Sequence, residues 1–92
     1  MQAKVIDRPD RSRFELSLED DVAVAYYRVE GGRILLVHTE VPPRFSGQGI
    51  GSRLAQGVFD AVRASGRKVV AQCPFMAAYA GRHPEYADLL DR

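Results

Sequence analysis

The segment Arg44-Phe45-Ser46-Gly47-Gln48-Gly49-Ile50-Gly51-Ser52-Arg53 gathers alternate glycines, hydroxyls and two guanidinium groups in one short stretch. An apolar run ending in Val41-Pro42-Pro43 precedes it, and apolar residues at helical spacing follow it. The glycines therefore stand where a predicted strand passes into a predicted helix. Such a turn suits an anion. Glycine lets the backbone approach a ligand closely, the first amides of a helix have no intrahelical partner, and the helix dipole favours phosphate there. Ser52 can add a hydroxyl, and Arg44 or Arg53 can add charge. The spacing excludes two nucleotide loops. Gly47, Gly49 and Gly51 do not fit Gly-x-Gly-x-x-Gly, because Ser52 falls at the third position, and a start at Gly49 puts Leu54 there. No Gly-Lys-Ser/Thr follows, so a Walker loop is also excluded. The competing reading is a packing turn, but alternate glycines would then weaken a helix start for no structural gain.

The elements that must position this turn can be read from periodicity. The first dozen residues are polar, carry Pro9, and read as a lead-in or a frayed edge strand. Phe14, Leu16 and Leu18 alternate with Arg13, Glu15 and Ser17, which predicts a strand with one wet face. Glu19-Asp20-Asp21 is a turn, and Val22–Glu30 is β-branched and aromatic, hence a second strand. Gly31-Gly32 makes a two-residue hairpin loop to a strand over Arg33–Val41. Ile34-Leu35-Leu36-Val37 is apolar on both faces, which predicts an interior strand covered on each side, and Pro42-Pro43 ends it. Ile50, Leu54, Val58 and Val62, widened by Ala55, Phe59 and Ala61, predict a helix with Gly66 as its C′ residue. Arg67–Cys73 reads as a further strand stopped by Pro74. Phe75–Arg82 reads as a short helix and Pro84–Leu90 as a last turn. The fold class is α/β: antiparallel strands, then a βαβ unit over residues 33–73 whose outer strands run parallel, then a short helix.

Bulk properties narrow the function. A chain of 92 residues suffices for one domain over 1–92 and not for two. Its formal charge of +1 offers no broad footprint for nucleic acid or for an anionic membrane, so any anion must be gripped locally. Cys73 is the only cysteine, no signal-like apolar stretch opens the chain, and no run approaches a membrane span. These features point to a cytoplasmic protein, a monomer or weak homodimer.

The turn also fits Arg/Gln-x-x-Gly-x-Gly/Ala as Arg44-x-x-Gly47-x-Gly49, and in that it resembles the pyrophosphate loop of the GNAT superfamily of N-acetyltransferases. The likeness extends to Val41-Pro42-Pro43 before it and to Gly49-Ile50-Gly51-Ser52-x-Leu54 after it. The stretch from His38 to Tyr86, with Cys73-Pro74-Phe75 and Tyr79-Ala80-Gly81-Arg82-His83-Pro84-Glu85-Tyr86, is similar to a subgroup of short GNAT-like proteins. The resemblance implies a minimal GNAT-like domain. It would bind acetyl-CoA with pyrophosphate on Arg44, Gly47, Gln48, Gly49, Ile50, Gly51 and Ser52, and with pantetheine along the strand ending at Val41.

Acyl transfer to an amine needs a base, an oxyanion donor and an acid for the departing thiolate. His38 and Glu40, two apart on one strand, share a face about 7 Å apart. Glu40 lies where GNAT-like proteins often carry a glutamate base; the alternative is a solvated strand-end carboxylate. His38 is either a shuttle or a hydrogen-bonded structural residue. Cys73, ending the neighbouring strand, is placed beside the same cleft, as a nucleophile or as an inert small apolar residue. Tyr79 stands near the position where GNAT enzymes place a tyrosine acid, although the usual Tyr-x-x-x-Gly-Phe ending is absent; otherwise it is a core aromatic. No metal ligands are implied. Full-length GNAT domains insert two helices after their first strand, and here only Glu19-Asp20-Asp21 intervenes, which predicts an open acceptor side. Two functions follow: an acetyl-CoA-dependent N-acetyltransferase acting on an exposed or macromolecular amine, or a CoA-binding module without turnover.

Overall fold

The computed structural model describes residues 4–91. The lead-in is an edge strand, β1 (Val5–Arg8), and Pro9, with no N–H to continue a ladder, opens a 3-10 turn over Pro9–Arg11. Strands β2 (Arg13–Leu18), β3 (Asp21–Glu30) and β4 (Arg33–Glu40) follow. Helix α1 (Ile50–Ser65), strand β5 (Lys68–Ala71), helix α2 (Pro74–Arg82) and a 3-10 turn (Pro84–Leu89) complete the described chain. The strands form one sheet in the order β1-β2-β3-β4-β5. The first four are antiparallel, and β4 and β5 are parallel, as the βαβ pattern requires.

Alternation sets the faces. Phe14, Leu16 and Leu18 of β2, Ala23, Ala25 and Tyr27 of β3, and Ile34 and Leu36 of β4 join one buried cluster. The buried residues of α1 are Ile50, Leu54, Ala55, Val58, Phe59 and Val62, the stripe that its spacing predicts, and all lie in that cluster. Those of α2, namely Met76, Tyr79 and Ala80, lie there too. Both helices therefore cover the same face of the sheet. The expectation that β4 is covered on each side needs correction: it is interior, but Leu35 is buried outside the helix-packed cluster. On that opposite face Leu35 sits across from Arg28 and Val70, and strand neighbours shield it instead of a helix.

Two local irregularities shape the site. A bulge interrupts the β3·β4 ladder, since Tyr26 pairs with His38 and Tyr27 with Leu36, leaving Val37 as the extra residue. Residues two apart normally share a face, but here Leu36 enters the core while His38 is exposed on the opposite face. Strand β5 also ends earlier than predicted. The parallel register stops at Leu36↔Ala71, and the amides of Gln72 and Cys73 both turn onto the Leu36 carbonyl, at 3.0 and 2.8 Å. Beyond that point β4 continues to Glu40 paired with β3 only, so β4 and β5 part at their C-terminal ends.

Candidate active site

The glycine turn sits at the mouth of this parting. Pro43–Phe45 makes a 3-10 turn after β4, and Gly47 and Gly49 take φ values of 79° and 75°. Such angles strain any residue with a Cβ. A Cβ at either position would meet nothing within 4 Å, so packing does not explain these glycines. Gly49 is the N-cap of α1 and no side chain caps the helix; the first intrahelical bond is Arg53 N–H to the Gly49 carbonyl at 3.1 Å. The amides of Ile50, Gly51 and Ser52 are left without intrahelical acceptors at the positive end of a sixteen-residue helix. An open cradle of glycines before an uncapped helix fits a diphosphate. Gly51 is different and corrects the argument from alternate glycines. It is helical, and its missing Cβ makes room for the Phe75 ring, whose Cζ would lie 2.7 Å away.

The charged and polar residues of the turn are arranged locally. Arg44 forms an ion pair with Asp20 of the β2–β3 turn, and its guanidinium lies 4.7 Å from the Phe45 ring centroid. The Gln48 amide donates to the Arg44 carbonyl at 3.4 Å. Val41 is partly buried and packs against the core.

His38 and Glu40 share the helix-free face, as alternation predicts, and their tips meet: His38 Nε2 donates to Glu40 Oε2 at 3.1 Å. Both side chains are 60% exposed. Tyr26, directly across from His38, stacks beside the imidazole with ring centroids 6.2 Å apart. Arg13 donates to the Tyr26 hydroxyl at 3.3 Å and to Glu15 at 2.6 Å, and that bond holds the Glu15 carboxyl below its ordinary range. Tyr26, Val22, Val24, Asp21, Arg13 and Glu40 line a groove of about 620 Å³ on this face.

Cys73 is the N-cap residue of α2 and is buried, with Sγ 3.2 Å from Thr39 Oγ1. Thr39 alternates with His38 and Glu40 and pairs with Ala25, so it points to the helix side. The structure thus brings Cys73 to the parting of β4 and β5, as expected, but on the side opposite His38 and Glu40. Tyr79 is placed elsewhere. It stacks on His83, Phe59 and Tyr86, with ring centroids 3.9, 5.9 and 6.3 Å away. Burial raises its phenol, and the charged neighbours acting on it are Glu85, Asp60 and Arg82, which are not residues of the β4–β5 opening. Tyr26, Thr39 and Phe75 were not anticipated. Thr39 alone had a signal, since it is the residue between His38 and Glu40 and must face the other way.

The sheet's one parallel pair, β4 and the edge strand β5, parts beside an uncapped helix start, and a crevice at the C-terminal ends of parallel strands is where open α/β sheets take ligands. The family model described as GCN5-related N-acetyltransferase matches residues 13–89. The chain belongs to that family, and acetyl transfer to nitrogen is the activity that membership assigns. Among curated proteins it is similar to mouse (Mus musculus) Protein NATD1, at 35% identity over 80 residues, covering 82% of this chain and 73% of that one. Among solved structures it is similar to the solution structure of a GCN5-like protein from Staphylococcus aureus, with a TM-score of 0.72 and 25% identity. That match covers 98% of this chain and 89% of the other. No helix among the described residues is long and apolar enough to cross a membrane.

Proposed function

We propose that the chain is a single-domain, acetyl-CoA-dependent N-acetyltransferase whose acceptor is an amine on an exposed or macromolecular partner. The observation that carries this reading is the end of the β4–β5 ladder at Leu36↔Ala71 beside the uncapped start of α1. The edge of β4 that β5 no longer covers beyond Leu36 can offer backbone groups to the amides of pantetheine, while Gly47, Gly49 and the first α1 amides, with Arg44 and Ser52, take the diphosphate. The acceptor approaches from the helix-free face. Glu40, or a water it holds, removes a proton from the ammonium, and the neutral nitrogen attacks the thioester carbonyl. The C–S bond breaks, the acetyl group passes to nitrogen, and the sulfur leaves as thiolate, which takes up the second proton that the nitrogen sheds on becoming an amide. His38 positions Glu40 and can pass its proton to solvent. The groove along Tyr26, Val22 and Asp21 is open, which supports an amine on a large or extended acceptor. The sole cysteine supports a reducing, cytoplasmic setting.

A CoA-binding module without turnover is the second reading. What favours it is that His38 and Glu40 hydrogen-bond to one another while both stay largely exposed. Calorimetry with acetyl-CoA, followed by incubation with a panel of amines and detection of free thiol, separates the two. Binding with amine-dependent thiol release is the expected result; saturable binding without release supports the module. Intact-mass analysis after acetyl-CoA treatment tests transfer through Cys73. Direct attack predicts no acetyl adduct, whereas an adduct lost in Cys73→Ala would establish a thioester on that sulfur.

A further inference from the structure

Resting on the acyl-CoA reading, we infer that Phe75 is the apolar wall against which the branched pantoyl segment of the cofactor arm packs. Phe75 is the second residue of α2 and stays 38% exposed, while Met76, Tyr79 and Ala80 take the core side of that helix. Its ring joins neither the buried cluster nor any aromatic stack among the described residues. It lies instead on bare backbone. The ring tip occupies the space a Cβ on Gly51 would need, in the first turn of α1 and beside the amides free for phosphate. The glycine gives up some helix propensity in the first turn of α1, and the half-exposed ring leaves apolar area in water. Together they make a flat apolar surface between the starts of two helices.

The position of that surface selects the part of the ligand it meets. On one side is Gly51, among the diphosphate-binding amides. On the other, two residues back along the chain, is Cys73, whose thiol touches Thr39 at the parting of β4 and β5. In an acyl-CoA, the segment between diphosphate and sulfur is pantetheine, and its first carbons after the phosphate carry two methyl groups on a quaternary centre. Adenosine lies on the far side of the diphosphate. A phenyl face between the phosphate amides and the thiol end therefore meets the dimethyl group, contributing apolar burial that a free nucleotide cannot use.

The test compares Phe75→Ala and Phe75→Leu with wild type, titrating CoA, 4′-phosphopantetheine and adenosine 3′,5′-bisphosphate. Phe75→Ala is expected to weaken CoA and phosphopantetheine by the same factor, roughly tenfold, and to leave the bisphosphate unchanged. Phe75→Leu is expected to recover most of the loss. A loss confined to CoA and the bisphosphate would overturn the inference in favour of adenine, and equal binding by all three proteins would overturn it outright. Nuclear Overhauser contacts from the Phe75 ring to the pantoyl methyls in wild type give a readout independent of any variant's folding; their absence in a CoA-saturated sample also overturns it. Failure of wild type to bind CoA at all would instead remove the transferase reading on which this rests.

Discussion

At the residue scale, the site divides into groups set by backbone and groups set by side chains. Among the described residues the Glu40 side chain is tied to His38 alone, so Glu40→Gln keeps a hydrogen-bonding partner of the same shape while removing the base. Its transfer rate should fall about a hundredfold with the Kd for acetyl-CoA unchanged, read by steady-state kinetics beside calorimetry. Arg44 has a different problem, since Asp20 already occupies its guanidinium and competes with a ligand phosphate. Asp20→Asn should tighten CoA binding a few-fold at low ionic strength, and titration at several salt concentrations should show the gain vanish by about 0.5 M. In an Arg44→Gln background the same substitution should do nothing. Neither Asp20 nor Phe75 could be read from the sequence as a partner. Each acts through a residue on a distant segment, and local spacing carries no information about which loops meet.

At the element scale, the period-two pattern of β2 and the stripe from Ile50 to Val62 were enough to predict faces, and the structure follows them closely. What could not be read is the bulge at Val37, which depends on the partner strand and decides that His38 looks away from the core while Leu36 looks in. Legible, too, was the left-handed glycine turn before α1, because positive φ at Gly47 and Gly49 has a residue-type signature. Gly51 shares that signature for an unrelated reason, its contact with Phe75. Gly57 shows the same conflict between rule and context. Alanine inside an exposed helix gains about 1 kcal/mol over glycine. Here, however, a Cβ would fall 2.2 Å from Val5 Cγ2 and 2.5 Å from its Cβ, so α1 would push the edge strand β1 away. Overpacking costs about 1–3 kcal/mol and should win. Urea unfolding should therefore find Gly57→Ala less stable than wild type, and in a Val5→Gly background, where both clashing carbons are gone, the same substitution should become favourable.

Across the whole molecule, two buried phenols fasten the periphery to the core. Tyr27 donates to Asp7 of β1 at 2.6 Å, and burial with that bond pushes its phenol up to about 12. Tyr86, after α2, donates to Asp60 of α1 at 2.7 Å and is raised by burial and by that carboxylate. In the folded state both phenols keep their protons above pH 10, where the unfolded chain loses them. Their contribution is thus complete below pH 10 and is lost as the pH climbs toward the folded values. Chemical denaturation from pH 9 to 12 should show a steep fall, up to about 1.4 kcal/mol per pH unit for each group. A Tyr27→Phe, Tyr86→Phe protein should start lower and fall less. The short parallel ladder has a further consequence. Strand β5 is held to the sheet through four residue pairs and to the chain's end through the Asp91 amide on Val69. With β1, the other edge strand held by four pairs, β5 should be among the first parts of the sheet to open, and amide hydrogen exchange should be fast at both edges. A ligand lying between the parted strands would act as a clasp across that seam, so protection should spread from α1's first turn into β5 as occupancy rises.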